Sequence, residues 1–356
     1  MPLKSTTRQK MKKTLFLFNI VIISLFVGCQ KQDSKKSFSF AYITDTHITS
    51  NLASIRNWEL PAERKSLVEA PFVGYKNLMS EIKKKSVDFI LTGGDNTDLM
   101  TYELPPINGK LPVSDDTIVV RKYIKKMKTI EKEVAGLPIF YTIGNHDCYV
   151  YPPAKPNDPL YGQGLFIKYF GHEGKSYYSF NKNGWHFIVL STHDKQDDDS
   201  PNLVGISDEQ INWLKNDLSK IDKTTPIILT AHVPFPLDKD YENESEIIYK
   251  ILSNYNVKLV LFGHWHGYVE FLWHNKIPCI IGSSASGAVW SVVRNVHDVT
   301  YHNNADQGYL IVNISGEDIV WKHYPFSYSI EKYYFEQTGK RPSAISNYWF
   351  LKHKEK

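Results

Sequence analysis

Cysteine is scarce in this chain of 356 residues: only Cys29, Cys148 and Cys279 occur. Three cannot build a disulfide framework, and Cys148 and Cys279 read equally well as a pair or as two free buried thiols. Long apolar runs are lacking too. The one candidate, Leu15 to Val27, is interrupted by Asn19 and Ser24 and is too short to span a bilayer comfortably. No internal repeat is present, which excludes a solenoid, and low complexity is confined to a short polar stretch. What is present is globular composition, 42% hydrophobic and 22% charged, with an aromatic surplus of 13%. The length admits one large α/β domain or two small ones.

The first 28 residues read as a targeting segment. Lys4, Arg8, Lys10, Lys12 and Lys13 make a basic start without an acid, and Leu15 to Val27 follows as the apolar core of a signal. Met11-Lys12-Lys13 is an alternative start. The segment ends in Phe26-Val27-Gly28-Cys29, ahead of a polar tether, 29–36. This resembles a bacterial lipoprotein signal with Cys29 as the lipidated residue, although Phe26 stands where Leu is usual. The resemblance implies export to the cell envelope, anchored to the membrane through a lipid on Cys29. Removing the segment's five positive charges takes the net charge of +4 to −1. No basic stripe then remains to suggest nucleic-acid binding.

Apolar alternation and runs predict strands at 38–44, 87–92, 138–143, 226–230 and 257–261, then a series over 268–273, 278–281, 308–314 and 318–323. Tyr177 to Thr192 reads as a hairpin turned within Asn181-Lys182-Asn183-Gly184. Helices are predicted over Val73 to Lys85, Asp115 to Val134, Ser207 to Leu218 and Glu244 to Tyr255, the third with Ser207 as N-cap and Gln210 completing a capping box. This is a mixed α/β plan. The main domain is placed at 37–325, followed by a helical C-terminal extension, 326–356.

The chemistry-bearing residues gather at the ends of predicted strands: Asp45 and His47, Asp95, Asn145, His232, and His264 with His266. In an extended chain, residues two apart share a face, so His264 and His266 would point one way and Trp265 the other. Asp45 and His47 follow the same logic. Seven N and O donors are too many for one tetrahedral ion and suffice for two ions sharing a carboxylate.

The motifs Asp45-Thr46-His47, Gly94-Asp95-Asn96-Thr97-Asp98, Gly144-Asn145-His146-Asp147, Ala231-His232 and Gly263-His264-Trp265-His266, in this order, resemble the calcineurin-like metallophosphoesterases. The resemblance implies a four-layer αββα sandwich of two mixed β-sheets flanked by helices. It implies one metal held by Asp45, His47, Asp95 and His266, and a second by Asp95, Asn145, His232 and His264. Asp95 would bridge, one carboxylate oxygen to each ion. The ions would be Mn, Fe, Zn or Co, which His, Asp and Asn suit alike. His146 would stabilise the phosphoryl group or protonate the leaving oxygen, oriented by Asp98, while a metal-activated hydroxide hydrolyses a small phosphate ester. Purple acid phosphatases carry a Tyr ligand where this chain has Asp98, so an iron–tyrosinate colour is not expected.

The remaining histidines, His172, His186, His193, His274, His297, His302, His323 and His353, read as surface or packing residues. Gly282 to Gly287 reads as a flexible rim of the site, and the loop Cys148 to Gly164, with Tyr149, Tyr151 and Tyr161, as a pocket wall or a packed surface loop. The leading expectation is an exported phosphoesterase leaning towards diesters. A cyclic-nucleotide phosphodiesterase, a phosphomonoesterase and a non-catalytic binding lipoprotein are the alternatives.

Overall fold

Runs of β-branched and aromatic residues assemble two sheets. In a computed structural model, the structure describes residues 37–48, 62–97, 117–148, 159–195, 204–285, 301–303, 307–326, 328, 333, 335–337 and 339. The strands, in chain order, are β1 (Phe38–Ile43), β2 (Phe89–Thr92), β3 (Ile139–Phe140), β4 (Tyr178–Lys182), β5 (Trp185–Val189), β6 (Pro226–Thr230), β7 (Asn256–Phe262), β8 (Tyr268–Trp273), β9 (Ile277–Ile281), β10 (Tyr301–Asn303), β11 (Gly308–Ser315) and β12 (Asp318–Pro325). One sheet has the order β12-β11-β1-β2-β3 and the other β10-β8-β9-β7-β6-β5-β4. Both are mixed: β1, β2 and β3 run parallel, as do β5, β6, β7 and β9, while the outer strands pair antiparallel.

The helices are α1 (Ala62–Lys83), α2 (Thr117–Ile130), α3 (Gly164–Tyr169), α4 (Asp208–Leu218) and α5 (Glu242–Leu252). Three buried clusters define four layers. Phe72, Leu78, Met79 and Ile82 of α1 and Ile124 and Met127 of α2 pack with Ala41, Ile43 and Ile90 of the first sheet. Ile211, Leu214 and Leu218 of α4 and Ile248 and Leu252 of α5 pack with Ile227, Leu229 and Val260 of the second. Between the sheets lies the aromatic surplus noted in the composition: Phe38, Phe40, Phe89, Tyr178, Trp185 and Phe187. The rings of Phe40 and Phe89 stack at 5.1 Å, and Phe187 meets both edge-on, geometry that adds to area burial.

Local details depart from the sequence expectations for identifiable reasons. Helix α1 starts at Ala62, well before Val73, and continues through Pro71. Proline usually stops a helix; here buried Ala70 and Phe72 on either side of it carry α1 through. Past Ile130, α2 widens into a π-turn, Glu131–Ala135, and buried Glu131 accepts hydrogen bonds from the hydroxyls of Tyr75 at 2.8 Å and Tyr141 at 2.6 Å. The hairpin turns on Asn183 and Gly184, both at positive φ, the twist that suits a two-residue hairpin loop. Ser207 does cap α4, its Oγ accepting from the Gln210 N–H. The capping box is not formed. The Gln210 amide reaches across to the backbone N–H and C=O of Ser191, and Ser207 N–H donates to Asp194 instead. Cys148 and Cys279 are free and buried. Residues 333 and 335–337 of the C-terminal extension are helical; most of that extension, and all of 1–36, lie outside the described residues.

Candidate metal centre

Each candidate residue sits just past the carboxyl end of a parallel strand: Asp45 and His47 after β1, Asp95 after β2, Asn145 and His146 after β3, His232 after β6, His264 and His266 after β7. In open α/β sheets this end is where ligand sites form. Two sheets contribute, so the site bridges the sandwich.

The expected extended geometry at the two pairs is not what brings the side chains together. Asp45 (φ 53°), His47 (φ 42°), Asp95 (φ 49°), His264 (φ 71°) and His266 (φ 59°) all adopt the left-handed conformation, which costs on the order of 1–2 kcal/mol for each non-glycine residue. The chain coils through these positions; Asp45 and His47 stay together in one set, while His264 and His266 diverge. His266 joins Asp45, His47 and Asp95, while His264 joins Asp95 and His232. Trp265 is buried in the outer core of the second sheet. Backbone pairing offsets the strain. Asp45 N–H donates to Gly94 O, His47 N–H to Asp95 O and Gly263 N–H to His232 O. Such strain concentrates at functional sites when the surroundings over-determine it.

Within each set the candidate ligand atoms lie within 4.8 Å of one another, and Asp95 belongs to both. In the first set His47 Nε2 and His266 Nε2 face each other at 3.2 Å, and Asp45 Oδ1 lies 3.1 Å from His266 Nε2. In the second, Asn145 Oδ1 is 3.1 Å from both His232 Nε2 and His264 Nδ1. Asp95 divides its oxygens unexpectedly. Oδ2 lies 3.2 Å from His232 Nε2 and 3.7 Å from His47 Nε2, whereas Oδ1 accepts the His146 backbone N–H at 2.8 Å. One oxygen therefore faces both sets, and the other is taken.

Neighbouring groups orient the donors. Gly93 O accepts from His232 Nδ1 at 2.7 Å, which turns the Nε2 lone pair toward the site. Thr44 Oγ1 and the His264 N–H both donate to Asp45, and Ser284 Oγ donates to Asp45 O. Ser283 and Ser284 are buried, so the described part of the Gly282 to Gly287 rim is fixed rather than flexible. Gly263 is required for this crossing. A Cβ there would run into Thr44 Oγ1 and lie 2.8 Å from Asp45 Oδ2 and Gly93 O. Gly263→Ala is therefore expected to lose about 1–3 kcal/mol in urea unfolding, together with metal retention at the Asp45 set, read by elemental analysis.

Electrostatics follow from burial and mutual proximity. Burial pushes the Asp95 carboxyl up, but His232 and His146 hold it well below the usual range. Burial pushes His232 down, yet Asp95 overrides it and lifts it to about 9. Desolvation and the neighbouring His232 push half-buried His264 down to about 3. A dense set of imidazole, carboxylate and amide donors in a buried site is the chemistry of a transition-metal centre, and the residues present fit such ions.

His146 stands beside the first set, its ring 4.6 Å from that of His47 and edge-on to it. It belongs to neither ligand set. Asp98, expected to orient it, lies outside the described residues, as do Tyr149 and Tyr151. Two residues acquire roles that sequence reasoning did not give them. Asp147, the last residue of its motif, is buried and accepts five hydrogen bonds, from Asn96 N and Nδ2, Gly144 N, and Thr97 N and Oγ1. It ties the Asp95 turn to the Asn145 turn. Burial and Asp95 push its carboxyl up to about 6. His193, read as a packing residue, is buried with its ring 6.1 Å from that of His232, and burial and His232 hold it well below its ordinary pKa. Its place just after β5, a strand parallel to β6, was the available signal.

Residues 38–268 match the model of the calcineurin-like phosphoesterase family, and the chain belongs to that family. Purple acid phosphatase 22 of Arabidopsis thaliana is 34% identical over 165 residues, 43% of this chain and 36% of the relative. Purple acid phosphatase 15 of the same plant is 29% identical over 149 residues, 39% and 26% of the two chains. The chain thus matches roughly a third or less of these relatives' length. Among solved structures, that of GAP50, the anchor in the inner membrane complex of Plasmodium, superposes with a TM-score of 0.51 over 82% of this chain and 85% of its own, at 15% identity. That likeness concerns the fold. The family match ends at residue 268, while the sheets continue through β12.

Proposed function

We propose that the protein is an exported hydrolase of small phosphate esters that works with two metal ions, Mn, Fe, Zn or Co. Asp45, His47, Asp95 and His266 would hold one ion, and Asp95, Asn145, His232 and His264 the other. The observation that carries this reading is the single carboxylate oxygen, Asp95 Oδ2, facing both donor sets. Bound ions supply Lewis-acid activation of water and neutralise phosphoryl charge. The chain supplies the rest. Asn145 adds a neutral donor, which limits negative charge near an anionic substrate. The Gly93 carbonyl fixes the His232 tautomer, and Asp147 holds the two central turns together. His146, outside both donor sets, gives a proton to the leaving oxygen. The test is the metal content of the purified mature protein together with its turnover of an aryl phosphate. A metal-free protein without turnover after reloading with each candidate ion would refute the reading.

The finer reading is a phosphodiester substrate. The seven proposed donors are His, Asp and Asn side chains, none of them cationic by type like Lys or Arg, and a diester, with one charge fewer than a monoester dianion, asks less cationic help. Lys168, one basic residue that could have reached over the site, is exposed on α3 with its ammonium 5.9 Å from the Tyr169 ring. An aryl diester is expected to exceed its matched monoester in kcat/KM by at least about tenfold, on the order of 1.4 kcal/mol in transition-state binding. Similarity to purple acid phosphatases favours the alternative, a phosphomonoesterase, and a monoester preference in that comparison would establish it.

Localisation is proposed from Gly28-Cys29 after the apolar stretch. Cys29→Ser is expected to abolish incorporation of a labelled fatty acid and to block processing. Because one acyl chain anchors weakly, stable attachment needs the several chains typical of bacterial lipoproteins. A wild-type protein recovered soluble, without lipid mass on Cys29, would sink this proposal.

A further inference from the structure

His193 is 4% exposed, yet it sits in a segment built with unusual care. Its N–H donates to Ser191 Oγ, and its C=O accepts from Gln163 Nε2 at 2.7 Å. The preceding Thr192 C=O accepts from Tyr241 Oη at 2.7 Å, and the following Asp194 carboxylate holds Ser207 N and Oγ. Ser191 is in turn clasped by Gln210. Three separate parts of the chain, at Gln163, Tyr241 and Ser207, thus fix three consecutive residues. Side chains locked by such supporting bonds are what a preorganised site requires.

The ring itself is oriented by Thr192. Thr192 Oγ1 lies 3.0 Å from His193 Nδ1 and accepts the Val233 N–H at 3.4 Å. A second lone pair stays free, so either ring tautomer fits this contact; in one of them the hydroxyl gives its proton to Nδ1. In that tautomer the other ring nitrogen, Nε2, carries the imidazole proton. Among the described residues, His193 Nε2 has no hydrogen-bond partner. The ring lies beside His232 and within electrostatic reach of Asp95, His264 and His146. Nε2 is not one of the sealed, unpartnered atoms of the core, so it stays open to an acceptor that binds there.

We propose that His193 is a substrate-contacting residue, its Nε2–H donating to a non-bridging phosphoryl oxygen of the bound ester on the His232/His264 side of the site. This rests on the phosphoesterase reading and deepens it. A neutral donor adds a hydrogen bond without adding charge, which matches a phosphodiester anion. His193 is distinct from the metal ligands, so its removal should spare the metals.

The test uses metal-loaded wild type, His193→Ala and His193→Gln, with inorganic phosphate as the binding probe and an aryl diester as substrate. Gln can present an N–H donor from a similar distance. His193→Ala is expected to keep full metal content, weaken phosphate binding about tenfold and lower kcat/KM about 10- to 100-fold, the range for a lost hydrogen bond to a charged group. His193→Gln should recover much of both. Metal loss in a folded Ala or Gln variant would make His193 a ligand and overturn the proposal. Phosphate affinity and kcat/KM within twofold of wild type in Ala would make it a packing residue and overturn it equally. If Ala does not fold, an active Gln variant supports the donor role, and a folded Gln variant without phosphate binding overturns it. Wild type that takes up metal but binds no phosphate and turns nothing over would remove the phosphoesterase reading itself, and this proposal with it.

Discussion

Replacing Asp95 with alanine is expected to empty both metal positions and lower turnover by more than about a thousandfold, because one oxygen serves both donor sets. Elemental analysis reads the first effect and single-substrate kinetics the second; full metal content in the variant would contradict the assignment. The metal-free proteins should differ as well. The pKa of His232 is raised in the fold to about 9 by Asp95, against burial. A raised histidine contributes stability that is fully present below its unfolded pKa, about 6.5, and is lost as pH rises through the folded value. Asp95→Ala removes that contribution. Its destabilisation in urea should therefore be larger near pH 6 than near pH 10, and a pH-independent difference would argue against the Asp95–His232 coupling.

His146→Ala is expected to act in the opposite way on the two readouts. The substitution keeps the backbone N–H that donates to Asp95 Oδ1, so the Asp95 carboxylate should stay in place and metal content should stay at the wild-type level. Turnover should fall by about 10²–10⁴-fold, the range for loss of a positioned general acid. The loss should shrink with a substrate whose leaving group needs no proton, such as a nitrophenol ester. Metal loss in this variant, or equal losses on good and poor leaving groups, would move His146 out of the proposed role.

Much of this site could be read in the sequence, because each motif follows an apolar run and the runs became the parallel strands that end beneath it. Strands β6 and β8 match their predicted bounds, since their ends are marked by residues that stop pairing. What the sequence did not show was how the ligands converge. Extended spacing made partners of His264 and His266, but left-handed turns send them to different sets. Those turns depend on Gly94 O, Asp95 O and His232 O as acceptors, contacts between segments far apart in sequence. Asp147 and His193 were illegible for a related reason. Their partners, Asn96 and Thr97 for one and Gln163 for the other, are non-local. Helix α1 through Pro71 is a case where packing overrode a local stop signal.

The pairing of β1 with β11, Phe38 opposite Ile314, sets a schedule for the making of the molecule. The first sheet has its second-laid neighbour for β1 in β2, but its antiparallel side waits for almost the whole chain. The donor sets wait too: the first needs His266 to meet Asp45, and the second needs His232 and His264. A chain emerging from its N-terminus therefore has no complete ion site until His264 and His266, about three-quarters of the way along, have been delivered. Loop closure over such spans is slow. Metal capture therefore falls late in folding, and under the proposed export it would take place in the compartment of arrival, where the ions available, rather than those of the cytosol, would decide which metals are bound.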